Sequence, residues 1–130
     1  MNHLKRNWGL FLALLFILAN TFYHSRWDNT QTEAPISWDA SGYYSYLPAI
    51  FIYKDIQGLD HMPDIIDQYR PSPQMDQAFQ HDSGHYIFKY TLGQSLTYLP
   101  GFAIGHIWAK NSTQHPADGY AYPYQADTYF

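Results

Sequence analysis

The 130-residue sequence contains no cysteine. That excludes a disulfide framework, a thiol nucleophile and a Cys-ligated metal site, and it fits either redox setting. Charge is scarce: Asp, Glu, Lys and Arg make up 14% of residues, against the usual ~25%. The net charge is −4, and no basic stripe exists that would serve a nucleic acid, so no nucleic-acid partner is expected. Internal repeats and low-complexity tracts are absent as well. Aromatic residues are abundant instead, at 19%, with 13 Tyr, 8 Phe and 4 Trp. A disordered tail has the opposite composition, and the length fits one ordinary domain.

The few charges are unevenly placed. Residues 1–26 hold Lys5, Arg6 and Arg26 and no acid, whereas the rest holds four bases and all eleven acids. Behind Lys5 and Arg6 runs Trp8 to Tyr23, WGLFLALLFILANTFY, with no polar side chain from Gly9 to Ala19. This is the layout of a signal peptide or a signal-anchor helix. The exit Leu18-Ala19-Asn20-Thr21-Phe22-Tyr23 offers no good cleavage site, and Trp8, Tyr23 and Trp27 resemble two interfacial aromatic belts, so residues 1–24 read as a transmembrane anchor. Sixteen residues at ~1.5 Å each span about 24 Å, short of a ~30 Å hydrocarbon core. Asn7, His24 and snorkelling Lys5 or Arg26 can make up the difference. The positive-inside rule keeps the amino terminus in the cytoplasm, and anchor and cleaved signal alike export the rest of the chain.

Residues 25–85 read as an exported loop with an interfacial helix. Tyr43, Tyr46, Leu47, Ile50 and Tyr53 recur at helical spacing; Asp39 or Ser41 can cap that helix, and Pro48 should kink or split it. Its aromatic stripe suits a membrane interface, or equally the core of a small domain. Asp64 to Tyr69 fits another short helix among turns. His81-x-x-x-His85 has two-His metal spacing only if helical, and Ser83 and Gly84 favour a turn. Residues 86–109 form a second hydrophobic, membrane-associated block: Leu92 to Ala109 has no charge but contains Pro100, three Gly and several polar residues, the pattern of a broken helix. Residues 110–130 are a polar, aromatic tail of turn sequences. The fold class expected is mainly α: a membrane protein with an N-terminal transmembrane helix, an interfacial helix after an exported loop, and a second, broken hydrophobic helix.

The order of these parts carries a resemblance. An acid among aromatics follows the first helix at once, as Trp38-Asp39-Ala40-Ser41-Gly42-Tyr43-Tyr44. Tyr46 to Tyr53 supplies a short helix, and Lys89-Tyr90-Thr91-Leu92-Gly93 leads into the segment with Leu99-Pro100-Gly101-Phe102. This resembles the amino-terminal part of GT-C class integral-membrane glycosyltransferases, such as the dolichyl-phosphate-mannose protein mannosyltransferase and bacterial lipid-A sugar transferase families. The resemblance implies transfer of a sugar from a polyprenyl-phosphate donor to an acceptor hydroxyl, in a multi-pass protein of the cell membrane with this loop on the exported side.

It also implies roles. Asp39 matches the catalytic carboxylate, which accepts the hydroxyl proton as the anomeric carbon is attacked. An apolar wall of Trp38 and Tyr43 could raise its basicity by desolvation. Gly42 would admit a ligand close to the backbone, Tyr43 and Tyr44 would offer stacking faces and hydroxyls, and Lys89 would neutralise the lipid phosphate. Family members often carry a second acid beside the first; here Ala40 follows Asp39, so neither a metal nor another cofactor is expected. The chain looks truncated before a further membrane helix, and alone it should be inactive. Two other readings stay open: a single-pass, membrane-anchored exported domain binding carbohydrate or protein through a Tyr-rich surface, and a fragment of an unrelated membrane protein.

Overall fold

The computed structural model describes residues 2–23 and 34–127. The side chains of Lys5, Arg6 and Asn7, the loop with His24, Arg26 and Trp27, and the tail from Thr128 lie outside the described residues. The protein is mainly helical. Helix α1 spans Asn2–Tyr23, α2 Trp38–Tyr44, α3 Tyr46–Pro48, α4 Met62–Tyr69, α5 Leu92–Asn111 and α6 Tyr122–Asp127. A π-helical turn, Ala49–Tyr53, continues α3, and Lys54 ends it in the left-handed conformation (φ 54°). Among the described residues no helix is long and apolar enough to cross a membrane.

Residues 8–20 of α1 are all exposed, although eleven of them in a row, Gly9 to Ala19, are apolar. The region from 34 to 127 folds around α5. Ser95, Phe102, Gly105 and Ala109 lie on its buried face, while Leu92, Leu96, Ile104, Ile107 and Trp108 are exposed. Gly105 is there because α6 crosses against it: an added Cβ would sit 2.9 Å from the Pro123 carbonyl oxygen.

The main core joins Ile36, Tyr44, Leu47, Ile65, Tyr69, Phe102, Tyr120 and Tyr124. A smaller one joins Ala49, Leu59, Met62 and Ala78. Burying four tyrosines requires four partners for their hydroxyls. Tyr44 Oη donates to the Gly119 carbonyl at 2.6 Å, and Tyr69 Oη to the Asp118 carboxylate. Tyr120 Oη pairs with Ser45 Oγ at 3.0 Å, and Tyr124 Oη with His106 Nδ1 at 2.7 Å. The other Asp118 oxygen accepts the backbone N–H groups of Tyr120 and Ala121, which fixes the turn into α6. The buried Gln125 amide ties Ile36 to Tyr120, closing the two ends of the domain together.

The α-helical stretch ends at Pro48, where a split was expected, and the π-helical turn begins at Ala49; at Ser45 the backbone stays right-handed and its N–H bonds the Ser41 carbonyl at 2.8 Å. Two expectations are corrected. Helix α5 is unbroken across Pro100, because Pro100 and Leu96, whose carbonyl loses its donor, both lie on exposed positions where the local distortion meets no packed neighbour. Part of the region taken for turns is an antiparallel hairpin, β1 (Ala78–Gln80) with β2 (Tyr86–Phe88).

Candidate functional site

Helix α2 begins with strain. Ser37 precedes it in extended conformation, and Trp38 adopts φ 49°, a left-handed value that a bulky residue rarely takes. The Trp38 N–H is held by the Pro71 carbonyl at 2.8 Å, and its side chain is about half exposed. Strained backbone of this kind clusters at functional sites. The Asp39 carboxylate follows in the first turn of α2, where the helix dipole favours an anion. It does not cap the helix; Ser37 holds the cap position, without a side-chain bond to the first turn.

Asp39 is exposed, so Trp38 and Tyr43 do not wall it off from water as the sequence led one to expect. Its partner comes from 51 residues further on: Tyr90 Oη donates to Asp39 Oδ1 at 2.5 Å. That bond raises the Tyr90 phenol above its ordinary value, with desolvation, the Asp39 charge and Tyr43 adding to it. The Tyr90 ring also packs on Tyr43, with centroids 4.5 Å apart. Gly42 lies beneath it: a Cβ there would collide with Cδ2 and Cε2 of Tyr90 and come within 2.9 Å of Gln77 Oε1. The room that Gly42 provides is therefore filled by Tyr90, not open to a ligand.

Tyr44 does not belong to the site. It is 1% exposed, points into the core and stands edge-on to Tyr98, Phe102 and Tyr120. Consecutive helical residues are about 100° apart, so when Tyr43 packs on Tyr90 its neighbour turns inward. Burial pushes the phenols of Tyr44, Tyr69, Tyr120 and Tyr124 above their ordinary value, which keeps them neutral and fits them to structure.

Lys89 is exposed at the end of β2, and its N–H donates to the Gln77 carbonyl at 3.1 Å. It stands beside Tyr90 and just before the first turn of α5, whose N–H groups receive no side-chain cap from Thr91. A lysine and an uncapped helix start are both suited to an anion. The structure thus brings Asp39 and Tyr43 of α2 together with Tyr90, while Trp38 and Lys89 are tied to them only as neighbours in the chain.

Other sequence candidates fall elsewhere. His81 and His85 face each other across the hairpin turn, where the His81 N–H donates to the His85 carbonyl at 2.8 Å. Among the described residues no three His, Asp or Glu side chains group to hold a metal. A cleft of about 690 Å³ opens between α4, the 58–60 loop and the hairpin, lined by Leu59, Asp60, Ile66, Asp67, Met75 and Tyr86 among others. None of the residues around Asp39 lines it, and it offers carboxylates but no base for a phosphate. Tyr90 is the residue that sequence reasoning missed. It stood inside the Lys89–Gly93 motif, but nothing local in that motif shows a contact with α2. Comparison of the chain with protein-family models, with curated proteins and with solved structures finds no match.

Proposed function

We propose that the chain is the front part of an integral-membrane glycosyltransferase of the GT-C kind, with Asp39 as the general base. The observation that carries this reading is the meeting of two distant motifs: Tyr90, from the lead-in to α5, bonds the Asp39 carboxylate of α2. In the reaction proposed, an acceptor hydroxyl attacks the anomeric carbon of a sugar linked to polyprenyl phosphate. The new C–O bond forms as the bond to the phosphate oxygen breaks. The hydroxyl proton passes to Asp39, and polyprenyl phosphate leaves, its charge met by Lys89 and the first turn of α5. Trp38 and Tyr43 present ring faces for the sugar.

The membrane setting belongs to the same proposal. Support comes from α1, exposed along its apolar length, and from the exposed apolar residues Ile50, Phe51, Leu92, Leu96 and Ile104. They suit an anchored chain with the π-helical turn Ala49–Tyr53 and α5 against the bilayer and Asp39 on the exported side. The binding-domain alternative draws less support, since four tyrosines that would have formed its surface are core residues.

The test is sugar transfer from a polyprenyl-phosphate donor by a complete enzyme of the class that carries this front part. Asp39→Asn is expected to lower the rate by about 100-fold or more, the scale of a lost general base. Unchanged activity would remove Asp39 from the mechanism.

A further inference from the structure

We infer that Tyr90 is the positioning residue of this site: its phenol grips one oxygen of Asp39 and leaves the other turned to an incoming hydroxyl. This rests on the reading of Asp39 as the base. Oδ1 is taken by Tyr90, and among the described residues Oδ2 takes no hydrogen bond. A carboxylate on an exposed helix turn otherwise samples several rotamers. One strong, charge-assisted bond selects among them, which is the condition for a proton acceptor to meet its substrate in one geometry.

Tyr90 is itself fixed from three sides. Tyr46 Oη donates to its carbonyl oxygen at 2.6 Å, while the Tyr46 ring packs on Phe88 at 4.2 Å. The preceding N–H, of Lys89, is tied to Gln77. Its ring lies on Gly42 and against Tyr43, and any side chain at position 42 would displace it. A surface tyrosine that served only to cover apolar area would need neither the glycine nor the carboxylate. Proton transfer is felt at the same bond: once Oδ2 accepts the hydroxyl proton, Asp39 is neutral and the Tyr90 bond loses its charge assistance. Before the step, Tyr90 therefore holds the carboxylate in one orientation.

Two measurements test this. In the 130-residue chain, held in detergent with ¹³C-labelled tyrosine rings, the Tyr90 resonance is assigned by its loss in Tyr90→Phe, and its ionisation is followed with pH. Asp39→Asn should let Tyr90 ionise at lower pH; an unchanged titration overturns the inference. In the complete enzyme, Tyr90→Phe keeps the ring over Gly42 and removes only the donor. It should lower kcat by about tenfold and leave KM within about twofold, as expected for one hydrogen bond to a charged group acting on geometry. If Asp39→Asn abolishes transfer while Tyr90→Phe leaves kcat unchanged, the positioning role is overturned and the Asp39 reading stands. If Asp39→Asn leaves transfer intact, the Asp39 reading falls, and the role of Tyr90 falls with it.

Discussion

Two groups of tyrosines share this small domain and differ in what satisfies their hydroxyls. Tyr44, Tyr69, Tyr120 and Tyr124 are enclosed, and their hydroxyls bond a main-chain carbonyl, a carboxylate, a serine and a histidine inside the core. Tyr43 and Tyr90 lie at the rim, where the one hydroxyl bond goes to a solvent-facing carboxylate. The boundary between the groups runs between adjacent residues of one helix. The same side chain is a core member on one side of α2 and part of the partly exposed rim on the other. Residue type set neither role; helix phase did.

The sharpest way to break that distinction is to truncate the two neighbours separately. Tyr44→Ala empties a fully enclosed site and should cost ~3–5 kcal/mol, the range for losing a buried aromatic ring, measured by urea unfolding in detergent. Tyr43→Ala, half-buried at the rim, should cost under ~1.5 kcal/mol on the same measurement, since only part of its area leaves water. Equal losses would mean that the two faces are assigned wrongly.

A smaller effect probes the rim. Gly42→Ala drives a methyl into the Tyr90 ring and should destabilise by ~1–3 kcal/mol, the usual cost of overpacking. In a Tyr90→Ala background most of that penalty should vanish, and the difference between the two costs measures the coupling of α2 to the Lys89–Tyr90 segment. Additive costs would show that Tyr90 does not rest on Gly42.

The smallest effect lies at the margin of the inner group. His61 stacks on Tyr53 with centroids 3.9 Å apart, and neither ring nitrogen has a hydrogen-bond partner among the described residues. Burial lowers its pKa below the ordinary value, opposed in part by Asp55 and Asp60. The unfolded chain therefore binds the proton more readily than the folded one. Stability should fall as pH drops from about 6.5 through the depressed folded value, and be constant again below it. His61→Phe keeps the stacking and should flatten that slope in a series of unfolding curves; an unaltered slope would place the proton elsewhere.

What could be read beforehand followed local rules. The spacing of Tyr43, Tyr46, Leu47 and Ile50 gave a helical stretch, and Asp64 to Tyr69 gave most of α4, because both repeat on the helical period. Asp39 stood out as the one acid set among aromatics. The inward turn of Tyr44 was not legible, since a seven-residue helix holds too few turns to fix which side is buried. The hairpin escaped because its strands have three residues each, too short for an alternating pattern to register. Tyr90 escaped for a different reason: its bond to Asp39 spans 51 positions and is a product of tertiary packing.

Asp118 and the turn that it organises have a consequence for the order in which the chain can fold. Tyr44 and Ser45 find their partners 75 residues later, Tyr69 finds Asp118 49 residues later, and Ile36 waits 89 residues for Gln125. Contacts this distant in sequence close slowly, because the loop entropy comes before any reward. On a ribosome making ~5–20 residues per second, α1 precedes this turn by about 100 residues, hence by roughly 5–20 s. During that interval the apolar length of α1 is already made while no folded domain yet stands behind it.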